Sequence, residues 1–74
     1  MSGRSQHVVP RGGKWAVRKG GAERVTRRFD TQREAIEVAR GIARKQGGEV
    51  FIYGRDGRIR QRDSLADDPL PPRG

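Results

Sequence analysis

One histidine, four aspartates in the last third of the chain, two aromatic rings set two residues apart and fourteen arginines are the residues here with chemistry to offer. His7 could ligate a metal or act as a general base. Neither use has support nearby: there is no second imidazole, no cysteine, and no nucleophile or carboxylate tied to it by spacing. A surface or strand-end histidine is the better reading. Asp56, Asp63, Asp67 and Asp68 lack the alternating oxygen ligands and closing glutamate of a calcium loop, and Asp56 suits a turn with Gly57. Gly47-Gly48 and Gly54 to Gly57 are followed by no Gly-Lys-Ser/Thr and so are not phosphate loops. Ser64 has no nucleophile elbow around it. No motif calls for a metal, a cofactor or a small-molecule substrate, and the expectation is a protein without catalytic residues.

The rings and the arginines are a different matter. Aromatic side chains stack unpaired bases, and the planar arginine fork grips phosphate. That chemistry requires Phe51, Tyr53 and several guanidinium groups on one surface, so it depends on the elements that present them.

Those elements can be read in order. His7 to Pro10 is β-prone, and Pro10 suits an edge strand or a strand end. Gly12-Gly13 breaks the chain. Lys14 to Arg18 alternates, with Trp15 and Val17 on one side; Gly20-Gly21 offers a tight turn, and Arg24 to Phe29 returns with Val25 and Phe29 inward. Arg27 then falls on the inward side and needs an edge or a bulge to escape. Thr31-Gln32-Arg33-Glu34 is a capping box. Ala35, Ile36, Ala39, Ile42 and Ala43 follow at helical spacing, and Gly47-Gly48 stops the helix. Gly41 inside it costs about 1 kcal/mol against alanine. Glu49 to Tyr53 is a strand, Asp56-Gly57 a hairpin turn, and Arg58 to Arg62 alternates again. The expected fold is α+β and two-layered: an antiparallel sheet of three or four strands packed on one helix, in the order β-β-α-β-β. The expected core is Trp15, Val17, Val25, Phe29, Ile36, Ala39, Ile42, Val50, Ile52 and Ile59.

Alternation then assigns the uncovered face. With Val50 and Ile52 toward the helix, Phe51 and Tyr53 point away from it. With Ile59 inward, Arg58, Arg60 and Arg62 point away too. Lys14, Arg18, Arg24 and Arg28 join them from the first hairpin. The plainer reading of the same face is that the His7 segment, the C-terminal tail or a second subunit covers it.

Composition sets the outer bounds. Seventy-four residues make one domain, expected over 7–63, with a flexible start over 1–6 and an extended or disordered tail over 64–74. Seventeen basic residues face nine acids, and the first sixty-three residues hold a net charge of +9, an excess that attracts any polyanion. There is no cysteine to form a disulfide. Met1 to Gln6 has no apolar run, and no stretch approaches the roughly 20 apolar residues of a membrane span, so a cytoplasmic protein without a membrane partner is expected. The basic helix lacks the bulky interfacial side chains of a membrane anchor. Pro69, Pro71 and Pro72 suit a solvated tail.

Taken in order and spacing, "HVVP", "WAVR", "DTQREAIEVAR", "GGEVFIYGRDGRI" and "DPLPP" resemble the small bacterial proteins grouped as domain of unknown function 2188, over His7 to Pro72. The resemblance implies a stand-alone bacterial cytosolic domain and brings no catalytic residues with it. Leu65 and Leu70 stand where the family pattern has aromatic residues.

The function expected is therefore a non-catalytic nucleic-acid-binding module. It would use Arg18, Arg24, Arg28, Phe51, Tyr53, Arg58, Arg60 and Arg62 on DNA or RNA. The alternative is a protein-interaction or homodimerisation module with that face buried. An enzyme acting on a polyanion ranks third, since it needs converging acids or imidazoles.

Overall fold

A computed structural model of the chain describes residues 5–21 and 25–64. Its elements are β1 (Ser5–Arg11), β2 (Lys14–Lys19), β3 (Val25–Phe29), α1 (Gln32–Gln46), β4 (Glu49–Tyr53) and β5 (Ile59–Ser64). The strands form one sheet in the order β3-β2-β1-β4-β5, with β1 and β4 parallel and every other pair antiparallel. The α+β class stands. The strand count and the sheet type expected from sequence do not: among the described residues the sheet has five strands and is mixed.

The extra strand is β1, which occupies the middle of the sheet with Pro10 at its end, the second of the two places open to that proline. Pro10 is compatible with that place because the β1–β4 register ends at Val8–Ile52, while β1–β2 continues to Arg11–Lys14. Proline thus sits where β1 has a neighbour on one side only, and its missing N–H interrupts no second ladder. The strand also starts at Ser5, ahead of the His7 boundary drawn from sequence, and β5 runs on through Ser64. Gly12 and Gly13 close the β1–β2 hairpin with φ of 58° and 81°, the pair of positive angles that a tight turn between twisted strands demands.

The helix is built as its sequence dictates. Thr31 caps it, its hydroxyl accepting the Glu34 N–H at 3.2 Å. Gly47 ends it at φ 68°, and Gly48 N–H donates to the Ala43 carbonyl at 2.8 Å. Ala35, Ala39 and Ala43 are fully buried and bring α1 down on Val8, Trp15, Val17, Val50 and Ile52, with Phe29, Ile36 and Ile42 packed at the margin. Arg40 ties α1 to the edge strand β5 through Asp63, with Nε at 3.0 Å and an Nη at 2.6 Å from one carboxylate oxygen. Hydrogen bonds from Gln61 and Arg40 hold the Asp63 carboxyl below its ordinary range. Among the described residues no helix is long and apolar enough to cross a membrane.

A Cβ on Gly41 would meet nothing within 4 Å, so no packing among the described residues explains this glycine. Gly41→Ala is expected to stabilise the protein by about 0.5–1 kcal/mol, through helix propensity and a less flexible unfolded chain. Urea denaturation followed by circular dichroism at 222 nm measures it, and a lower midpoint for the alanine variant would contradict the expectation.

Two of the expected core residues lie elsewhere. Ile59 is 55% exposed, and Val25 stands opposite Arg18 and outside the buried cluster. Both follow from irregularities in register, one between Val17 and Arg18 facing β3, the other between Ile52 and Tyr53 facing β5. An extra residue on one strand of a pair reverses the sidedness of what lies beyond it. Arg27 escapes as expected: β3 is an edge strand, and the guanidinium lies over the Phe29 ring at 5.1 Å.

Candidate functional site

Because α1 packs on one face of the sheet, the residues alternating with Val8, Val17, Val50 and Ile52 lie on the other. Register sets them in rows. Arg18 is opposite His7, His7 opposite Phe51, and Phe51 opposite Arg62. At a strand spacing of about 4.8 Å, this row of four crosses about 14 Å of sheet. In the neighbouring rows Arg28 stands opposite Ala16, and Tyr53 opposite Ile59.

The rings are organised among themselves. His7 stacks on Phe51 with centroids 4.9 Å apart and planes within 9°. Its Nδ1 is 3.0 Å from the Tyr53 hydroxyl, and its Nε2 is 3.2 Å from the Ser5 hydroxyl. The Tyr53 ring leans over the imidazole at 46°, with centroids 5.7 Å apart. Both imidazole nitrogens are thereby engaged, which fixes the ring plane on the sheet. His7, Phe51 and Tyr53 are each half-buried, so each keeps part of its surface open. Arginines flank this trio on both sides: Arg18 on β2, Arg62 exposed on β5, and Arg28 exposed on β3.

Burial, and then the charge of Arg18, lower the His7 pKa from its ordinary 6.5. The folded protein therefore binds this proton less readily than the unfolded chain. The stability contributed by neutral His7 is complete above pH 6.5 and declines as the pH falls from there through the lower folded value. With one histidine in the chain, its imidazole resonances can be followed by NMR without ambiguity. The midpoint is expected below 6.5, and Arg18→Gln is expected to raise it. A midpoint at or above 6.5 in the native chain would count against this placement of the ring.

Of the eight residues nominated from sequence, Phe51, Tyr53, Arg18, Arg28 and Arg62 share the open face. Arg24 lies outside the described residues. Arg58 and Arg60 do not join the others. Arg58 sits in the β4–β5 loop, where its N–H donates to Asp56 at 3.1 Å and its carbonyl accepts from Gly54. Arg60 is the residue without a partner across the register break, and it borders a cleft on the helix side. The simple two-residue period that grouped Arg58, Arg60 and Arg62 fails at this break. Lys14, also assigned to this face, pairs with Asp30 at 2.7 Å.

His7, read from sequence as a surface or strand-end histidine, instead stands half-buried inside β1. Nothing local marks it: its contacts with Phe51 and Tyr53 come from the parallel β1–β4 pairing, across more than forty residues of chain. The one available signal was that His7 alternates with Val8 in a β-prone run.

Comparison with known proteins agrees with the motif order. The family described as "Uncharacterized protein conserved in bacteria (DUF2188)" matches residues 6–65. The "Uncharacterized protein YdaT" of Bacillus subtilis (strain 168) is 37% identical over 62 residues, which is 84% of this chain and 41% of that relative. The chain thus spans well under half of that protein's length. No solved structure matches it. The family match takes in every described strand and the helix almost end to end, and on that ground the chain belongs to the DUF2188 family.

Proposed function

We propose that the open sheet face binds single-stranded nucleic acid, with His7, Phe51 and Tyr53 as a stacking platform and Arg18, Arg28 and Arg62 holding phosphates. One observation carries this reading: a row in which two rings stacked at 4.9 Å are bracketed by arginines on adjacent strands. Rings pre-positioned by hydrogen bonds, as His7 and Tyr53 are, or by stacking, as Phe51 is, lose little side-chain entropy when a base stacks on them. Stacking tolerates any base, so binding of low sequence preference is expected, with unpaired strands favoured over duplex.

Fluorescence anisotropy with labelled single- and double-stranded oligonucleotides over a salt series tests the reading. Three phosphate contacts predict a slope of log K against log salt of about −2 on single strands. Single strands bound no tighter than duplex, or no tighter than by an unrelated protein of equal charge, would sink it.

A second reading has one observation in its favour. Ile59 is 55% exposed beside Tyr53 and extends the ring surface with an apolar side chain, as a protein-binding face would. In that reading the face closes on a second copy or another protein. Light scattering that gives a dimer mass, lost on Ile59→Lys, would favour it over nucleic acid.

A further inference from the structure

The helix side of the sheet carries a second feature that the open face does not use. Between the start of α1 and the β4–β5 hairpin lies a shallow, open cleft of about 420 Å³. Its apolar lining comes from Trp15, Ile36 and Ile52. Two guanidinium groups border it, and each is held in a specific way. Arg55 lies over the Trp15 ring, 5.7 Å from its centroid. Arg60 lies over Gly54, so closely that a Cβ there would come within 2.6 Å of its Nε and 3.1 Å of its Cζ. Glycine at 54 is what gives Arg60 that position. Among the described residues neither arginine is held in an ion pair, whereas Lys14, Arg33 and Arg40 each are; Asp56 Oδ1 stands near Arg60, 3.1 Å from the same Cβ position at Gly54.

Gln32 and Gln61 complete the lining. Gln32 has one N–H donated to the Tyr53 carbonyl at 2.9 Å, and Gln61 one to Asp63 at 3.1 Å. Each amide is anchored by that bond and, among the described residues, keeps its oxygen and a second N–H for another partner. The cleft thus joins two planar cations that are in no ion pair to an apolar surface and two oriented amides. A phosphate monoester carries close to two negative charges and three acceptor oxygens, which two arginine forks match better than the single charge of a carboxylate. The amides suit the polar edge of a ring whose flat part rests on Ile36, Ile52 and the Trp15 side.

We infer that this cleft binds a small phosphorylated ligand bearing a flat ring, of the size of a nucleoside monophosphate, with Arg55 and Arg60 on the phosphate. The site lies on the opposite side of the sheet from the ring row, so it stands or falls apart from single-strand binding.

Trp15 is the only tryptophan in the chain and lines the cleft, so its fluorescence reports on occupancy. The full chain is titrated with adenosine 5′-monophosphate, with adenosine and inorganic phosphate as comparisons, by fluorescence and by calorimetry. The expected result is a saturable one-to-one change with the monophosphate, and binding at least about tenfold weaker for adenosine or phosphate alone. Arg55→Gln and Arg60→Gln should each weaken the monophosphate by about tenfold in calorimetry. Gly54→Ala should weaken it by displacing Arg60, and Phe51→Ala should leave it unchanged. The inference is overturned by any of four results. These are no saturable binding at millimolar monophosphate, inorganic phosphate binding equally well, unchanged affinity in both arginine variants, or loss of binding in Phe51→Ala.

Discussion

Replacing Phe51 and Tyr53 together by alanine is expected to weaken single-stranded oligonucleotide binding at least about thirtyfold, with little change in its salt dependence. The size follows from stacking, at about 1–3 kcal/mol for each base that loses its ring, so two rings amount to at least about 2 kcal/mol. The unchanged slope follows from division of labour: Arg18, Arg28 and Arg62 would still meet the phosphates and still release their counterions. Arg62→Gln should do the reverse. It removes one phosphate contact, flattens the salt slope by about 0.7 and weakens all sequences alike. The fold should survive the double substitution, because both rings lie on the face away from α1 and outside the buried cluster. Circular dichroism verifies that point before any affinity is compared. Unaltered affinity in a folded double variant would mean that charge alone does the binding, and the platform would lose its claim.

How far these surfaces could be read from sequence depended on whether each residue's position was set locally. The helix was. Thr31, the alanine and isoleucine spacing and Gly47 act within a turn or two, and each takes the predicted role. The outward direction of Phe51 and Tyr53 was also legible, since Val50 and Ile52 alternate with them in five uninterrupted residues. Local signals fell short at three points. Pro10 left an edge strand or a strand end open, and the second is what holds: β1 is central as far as Val8, and Pro10 is its last residue but one. Ile59 argued for an inward side chain, but the register break beside Tyr53 turned it outward and sent Arg60 to the helix side. His7 argued for a surface or a strand end, but its partners are fixed by a parallel pairing with a strand that lies beyond α1 in the chain. Bulges and non-local pairings share one property: they leave no periodic trace in the strand they alter.

Both proposed surfaces depend on a core with few large side chains, and Trp15→Ala exposes how thin it is. Among buried residues the helix contributes Ala35, Ala39 and Ala43, and the largest side chains fully shielded from solvent are the valines Val8, Val17 and Val50. Trp15, at 5% exposure, outweighs any of them. Its removal should cost about 3–5 kcal/mol, against about 4–11 kcal/mol for the whole stability of a chain this long. No disulfide can take up the loss, as the chain has no cysteine. The melting temperature is therefore expected to drop by at least about 12 °C, and Trp15→Phe should recover more than half of that. Alanines on α1 let the helix approach the sheet closely, so a void at Trp15 could be filled only by moving α1 or by folding Arg55 inward, and that cation would then lose its water. A variant melting within about 3 °C of the native chain would show that the cleft closes over the missing ring at small cost. Trp15 would then be a wall of the ligand site and no longer the keystone beneath both surfaces.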